Sequence, residues 1–170
     1  MIAEAETERL LIEKFTLNDA SFFKALVNTP HWIKYIGDRN TKTIEDAEER
    51  IKSGHLESYK TNGFGFYKLI LKEKNIPIGT CGLIKRDELK HVDIGFAFLE
   101  DYERQGFGYE ASIAIMELAK EKFNIKKLLA ITAPYNIGSI KLLEKLSFRY
   151  EKRVKPFEDD EELLLFAKDL

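Results

Sequence analysis

Two short segments carry residue types that can hold an anionic ligand. The first, Arg104-Gln105-Gly106-Phe107-Gly108-Tyr109, lies between a strand-like run and a helical one. Such a junction leaves several backbone N–H groups free at the positive end of a helix dipole. Its two glycines let a ligand come close to the backbone, which makes a cradle for a pyrophosphate. The same residues also read as a plain glycine turn that starts a helix. No Gly-Lys-Ser/Thr follows, so this is not a Walker loop. The second segment, Asn136-Ile137-Gly138-Ser139, opens another helix. Asn136 suits the N-cap, and Ser139 either faces solvent or bonds back to its own helix. One cysteine, Cys81, excludes an intrachain disulfide; with only three dispersed histidines, His31, His55 and His91, no metal site is expected.

The elements that must position these segments follow from periodicity. Leu10-Leu11-Ile12 reads as a strand. Thr16-x-x-Asp19 caps a helix carrying Phe22, Phe23, Leu26 and Val27, which Thr29-Pro30 stops. An aromatic segment, residues 31–36, leads to Thr43-x-x-Asp46, the cap of a charged helix that runs to about Tyr59. Residues 64–72, 76–85 and 91–99 form three strand-like runs joined by short turns, an antiparallel meander. In the third, Val92, Ile94, Phe96 and Phe98 share one face and His91, Asp93, Gly95, Ala97 and Leu99 the other. Phe107, Ala111, Ala114, Ile115 and Leu118 then take helical spacing. A strand at 128–132, a helix at 136–145 and closing strands at 148–154 and 163–168 complete the order. This is an α/β chain of the α+β type: a mainly antiparallel sheet of about six to seven strands with about four helices, without Rossmann alternation.

Composition narrows the function. The 170 residues suit one domain, 1–170, large enough for its own core. Lys plus Arg is 27 and Asp plus Glu 29, a balance that argues against nucleic acid as partner. No apolar run approaches the roughly 20 residues of a membrane span, and the acidic start lacks a signal peptide's basic region, so the expected setting is cytoplasmic.

The two segments together, Gly106-x-Gly108 after a strand and Asn136-x-x-Ser139 with closing Phe148 one helix later, resemble the GNAT superfamily of acetyl-CoA-dependent N-acetyltransferases. Ile94-Gly95-Phe96-Ala97-Phe98-Leu99, the stretch from Glu103 to Ala111, and Thr7-Glu8-Arg9-Leu10-Leu11-Ile12 are similar to the branch containing the ribosomal-protein N-terminal acetyltransferases. The resemblance covers nearly the whole chain. It implies that the pantetheine arm of acetyl-CoA pairs with the strand end at Phe98 and Leu99. The pyrophosphate then lies on the amides around Gln105, Gly106, Phe107, Gly108 and Tyr109, with Arg104 supplying positive charge. Asn136 is implied to bond the pantetheine, and Ser139 to donate to the departing sulfur. It also places Trp32, Ile33 and Tyr35 over the acetyl end as acceptor-pocket residues, which plain aromatic packing explains equally. Three positions depart from the family pattern: Glu103 three residues before the first glycine, Leu143 where a tyrosine acid is common, and Ser147 before Phe148.

The implied reaction is direct attack of an amine on a thioester, which needs the amine neutral. At pH 7.5 an α-amine of pKa near 7.8 is about a third neutral, a lysine near 10.4 about one part in a thousand. Asp93 is the expected base, directly or through water; the alternatives are a solvated Asp93 or His91. His31 and His55 read as surface residues. A lone strand cysteine such as Cys81 is a small buried hydrophobe more often than an acyl relay. The acidic loop 158–162 would attract a cationic amine if it faced the site. The partners are thus acetyl-CoA and an amine acceptor (a protein N-terminus, antibiotic, polyamine or metabolite). A non-catalytic acyl-CoA-binding module is the alternative, kept open by Leu143.

Overall fold

The computed structural model describes residues 2–170. Its centre is one eight-stranded sheet of β1 (Ala5–Glu6), β2 (Leu10–Lys14), β3 (Phe66–Leu71), β4 (Ile76–Ile84), β5 (Asp93–Phe98), β6 (Lys127–Thr132), β7 (Arg149–Val154) and β8 (Leu163–Asp169). The spatial order is β1-β2-β3-β4-β5-β6-β8-β7. Every neighbouring pair is antiparallel except β5–β6. The expected antiparallel meander is therefore β3-β4-β5, and the strand beyond the expected seven is the two-residue β1. Both edges are unsuited to further pairing: β1 is short, and β7 (RYEKRV) is exposed and charged.

Helices cover both faces. On one side lie α1 (Ala20–Val27), α2 (Pro30–Tyr35), α3 (Ile44–Arg50), a π-helical turn at Ile51–Leu56 and α4 (Glu57–Asn62); α5 (Phe107–Glu121) and α6 (Ile137–Lys145) follow later in the chain. Strand alternation separates the layers. Lys68 of β3 reaches Asp19 ahead of α1 at 2.8 Å, whereas Cys81 of β4, on the opposite face, meets Ser112 of α5 at 3.8 Å. The main core joins Leu69, Leu83 and Ile94 to Ala111 and Ile115 of α5 and Leu143 of α6. A second core, Phe15, Phe23, Val27, Ala47 and Ile51, knits α1 to α3. Both expected capping boxes form, Thr16 with Asp19 and Thr43 with Asp46. The aromatic segment after Thr29-Pro30 forms α2: Pro30 ends one helix and starts the next, with the Thr29 hydroxyl accepting from Trp32 N. No helix among the described residues is long and apolar enough to cross a membrane.

Candidate active site

β5 and β6 join by one pairing, Asp93 with Leu129, sealed by Leu129 N donating to Val92 O at 2.9 Å, and then diverge while β6 follows β8. Backbone groups alternate sides along a strand. Leu99 N is bound to Ile78 O of β4 at 2.9 Å, so the peptide groups of Phe96 and Phe98 face the gap. This corrects the expectation for Leu99: its amide belongs to the sheet and it does not line the cavity, whereas Phe98 and Phe96 do. A cavity of about 930 Å³ runs through the gap from the start of α5 to the α1–α4 layer.

The loop after β5 ends at α5. Gly106 is the N-cap residue, at φ 84°, and Arg104 also has positive φ, 58°. The first α5 turn has no side-chain cap; Glu110 N closes onto Gly106 O at 3.1 Å, and the amides of Phe107, Gly108 and Tyr109 have no protein acceptor. These are free donors at the positive end of a 15-residue helix. Arg9, which sequence reasoning assigned no function, holds the loop from below. It donates to Gln105 O at 3.1 Å, pairs with Glu110 at 2.8 Å and lies 4.1 Å over the Phe107 ring. The Gln105 side chain is engaged with Asp101 O at 2.7 Å and does not line the cavity. The space at Gly108 is taken up by packing on the protein side: a Cβ there would sit 2.9 Å from Leu142 Cδ2 of α6 and 3.5 Å from Phe98.

Across the gap, Asn136 caps α6, its Oδ1 accepting from Ser139 N at 3.2 Å. Its side-chain amide and the half-buried Ser139 both line the cavity. Leu143, at the tyrosine position, is 1% exposed in the main core.

Asp93, at the other end of the gap, is 2% exposed and accepts from Arg86 Nε at 3.0 Å. It is therefore not a solvated sheet residue. Burial pushes its carboxyl up to about 6, against the opposing pull of Arg86. His91 lines a separate basic recess of about 280 Å³ with Lys85, Lys90 and Lys126, away from the gap. Of the other two histidines, His31 is at the surface as expected but paired, and His55 is not at the surface. His31 meets Glu103 at 2.8 Å, tying α2 to the glycine loop. His55 packs 4.5 Å from Phe15 and 5.0 Å from Phe23, where burial lowers its pKa to about 4 and keeps it neutral. Helical spacing from Ala47 through Ile51 to His55 already marks that buried face.

The other wall is α2. Trp32, Ile33 and Tyr35 line the cavity; Tyr35 lies 5.7 Å from the ring of Tyr135, whose hydroxyl donates to Lys34 O at 3.2 Å. Asp159 and Glu161 of the acidic loop also face the cavity. No cluster of three metal-ligating side chains occurs among the described residues.

Cys81 is fully enclosed against Ser112, and burial pushes its thiol up to about 12. A thiol so held supplies almost no thiolate near neutrality. Cys81→Ala is expected to keep turnover within about threefold, with any loss coming from the small void it leaves. Mass spectrometry showing an acetyl group trapped on Cys81 would contradict this.

The sequence matches the acetyltransferase (GNAT) domain family over residues 9–149. The uncharacterized N-acetyltransferase p20 of Bacillus licheniformis is 29% identical over 153 residues, 89% of this chain and 85% of that protein. The fold superposes on an acetyltransferase from Agrobacterium tumefaciens str. C58 with TM-score 0.83 at 20% identity, covering 99% of this chain and 94% of that one. It also superposes on a ribosomal-protein-S5-alanine acetyltransferase from Vibrio fischeri with TM-score 0.77 at 20% identity, covering 99% and 97%. The diverging strands, the uncapped helix beside them and a family match spanning both place the chain in the GNAT acetyltransferase family.

Proposed function

We propose that residues 1–170 form one domain that moves an acetyl group from acetyl-CoA directly to a primary amine. The observation that carries this reading is the set of free amides at Phe107, Gly108 and Tyr109, opening onto the same cavity as the β5–β6 gap. The fit is chemical: uncapped donors at a helix N-terminus suit a pyrophosphate, with Arg104 on the same wall. Bound acetyl-CoA supplies the thioester that a neutral amine attacks, releasing CoA. The strand edge at Phe96 and Phe98 offers peptide groups to an extended arm, and Asn136 offers its side-chain amide. Asp93 takes the amine's proton, directly or through water. The Ser139 hydroxyl donates a hydrogen bond toward the departing sulfur. Trp32 and Tyr35 enclose the acceptor. Holding both reactants in one cavity removes the entropic cost of bringing them together.

Leu143 favours a second reading, a binding module without turnover, because a buried leucine donates no proton. Two measurements separate the readings. Acetyl-CoA at one hundred times its dissociation constant is expected to stabilise the fold by about 2.7 kcal/mol, a rise in Tm of several degrees that EDTA leaves intact. Release of CoA with an amine panel then reports turnover. No shift at millimolar acetyl-CoA defeats both readings; a shift without CoA release leaves the module.

A further inference from the structure

The acceptor end of the cavity is unusually rich in donors without partners. Arg50, the last residue of α3, is half-buried and lines it. Its Nε is shut off from solvent with no hydrogen-bond partner, and no carboxylate lies within ion-pair distance among the described residues. Trp32 Nε1 is buried on the cavity lining and equally unpartnered, while His55, also on that lining, bonds the Arg50 backbone and lies close to its charge. Burial, and then the neighbouring charge of Arg39, hold the Arg50 pKa below its ordinary value. Arg39 is exposed at the rim and also lacks an ion pair. A half-buried guanidinium with no counter-ion and a desolvated, unpartnered Nε leaves donors that an anion entering the cavity would satisfy.

The position fits the reaction. His55 lies 6.3 Å from the Phe66 ring, and Phe66 in turn covers Gly95, where a Cβ would meet it at 2.9 Å. The donor cluster therefore sits over the middle of β5, beside the gap. The carboxylates around the cavity are divided. Asp93 and Glu103 are already paired, with Arg86 and His31, whereas Asp159 and Glu161 stand at the acidic loop that carries Phe157, 5.3 Å from the Arg86 guanidinium. The lining thus offers carboxylates suited to an ammonium group and, at Arg50, a donor suited to a carboxylate.

We infer that the acceptor is an amine carrying a carboxylate, which Arg50, with Arg39 at the rim, binds while the amine is presented toward Asp93. This rests on the acetyl-transfer reading above. A polycation such as spermidine has nothing to offer Arg50 and repels it. Free amino acids and peptide N-termini with an acidic second residue share the recognised chemistry, and the assay distinguishes them.

The test measures CoA release with each of the twenty free amino acids and its α-amide, with hexapeptides bearing Glu or Lys at the second position, and with spermidine. For the best acceptor the carboxylate form is expected to exceed its neutral or basic counterpart at least tenfold in kcat/KM. The free-acid pairs identify an amino acid, the peptide pair an acidic N-terminus. Arg50→Met is expected to raise KM for that acceptor by about 10–100-fold, the range for a charge-assisted hydrogen bond, and to abolish the preference. Arg50→Lys should restore part of it. Acetyl-CoA's effect on Tm should be unchanged, and Arg50→Met should melt no lower than the parent, since it relieves an unpaired, half-buried charge. Equal use of acid and amide, preference for spermidine, or an Arg50→Met variant with unaltered selectivity overturns the inference. A Tm shift with acetyl-CoA but no CoA release from any amine overturns the catalytic reading, and this one falls with it.

Discussion

Asp93→Asn is expected to slow turnover by about 10²–10⁴-fold near pH 7, the usual range for losing a general base, while making the protein more stable. The two effects share one cause. Burial raises the Asp93 carboxyl to about 6, from the model-peptide value of 3.8. At pH 7 it is ionised, and so able to take a proton, but it is held in a place that disfavours its charge. A carboxylate with a raised folded pKa costs nothing below about pH 4, costs progressively more as pH rises toward 6, and costs its full amount above that. That amount is at most roughly 3 kcal/mol, so Asn, which removes the charge and keeps an acceptor for Arg86, should raise Tm by several degrees at pH 7.5 and by nothing near pH 4. In the parent, kcat/KM should fall on the acid side with an apparent pKa near 6. The variant should lose that limb and regain part of its rate toward pH 9, where hydroxide and free amine replace the base. Ser139→Ala should behave differently, with a smaller loss of similar size at every pH, because it removes one hydrogen bond and no titrating group. Wild-type turnover in Asp93→Asn from pH 6 to 9 would assign the proton to bulk water.

What the chain shows directly is what local spacing encodes. The alternation of Val92, Ile94, Phe96 and Phe98 marks β5, and Thr-x-x-Asp at 16–19 and 43–46 marks two helix starts. α2 escapes such reading because Pro30 signals the end of α1 and the N1 position of α2 in one residue. The glycine loop is legible, but the reason for each glycine is not. Gly106 needs its positive φ, whereas Gly108 makes room for Leu142, a residue 34 positions away. Arg9 is invisible as a support because its partner, Glu110, lies 101 residues on. Asp93 shows the same limit. Strand parity puts it on the less apolar face, yet only the assembled sheet shows that face buried under Arg86. The divergence of β5 from β6, which creates the site, depends on β8 inserting between β6 and β7, a pairing order with no local signature.

The separate reasons for the two glycines set the other large expected effect. Gly106→Val is expected to weaken acetyl-CoA at least about 100-fold, the worth of two charge-assisted hydrogen bonds. A β-branched residue is strongly disfavoured at φ 84°. Its Cβ would also lie 3.3 Å from Arg9 Nη2, pressing on the group that holds Gln105 O and Glu110 in place. The loop must then turn, and the amides of Phe107, Gly108 and Tyr109 cease to converge. The fold should survive, because apart from Phe107 the buried residues of α5 begin a turn later, at Ala111 and Ser112. Gly108→Ala should be mild, within about threefold in affinity, since the one tight contact of the added methyl is the flexible end of Leu142, and Phe98 lies at ordinary van der Waals distance. Isothermal titration with acetyl-CoA, beside thermal melts of each apo variant, separates the two positions. A folded Gly106→Val protein with unchanged affinity would mean that the loop is only a turn. A Gly108→Ala protein that loses binding would mean that the ligand, and not Leu142, needs the space at Gly108.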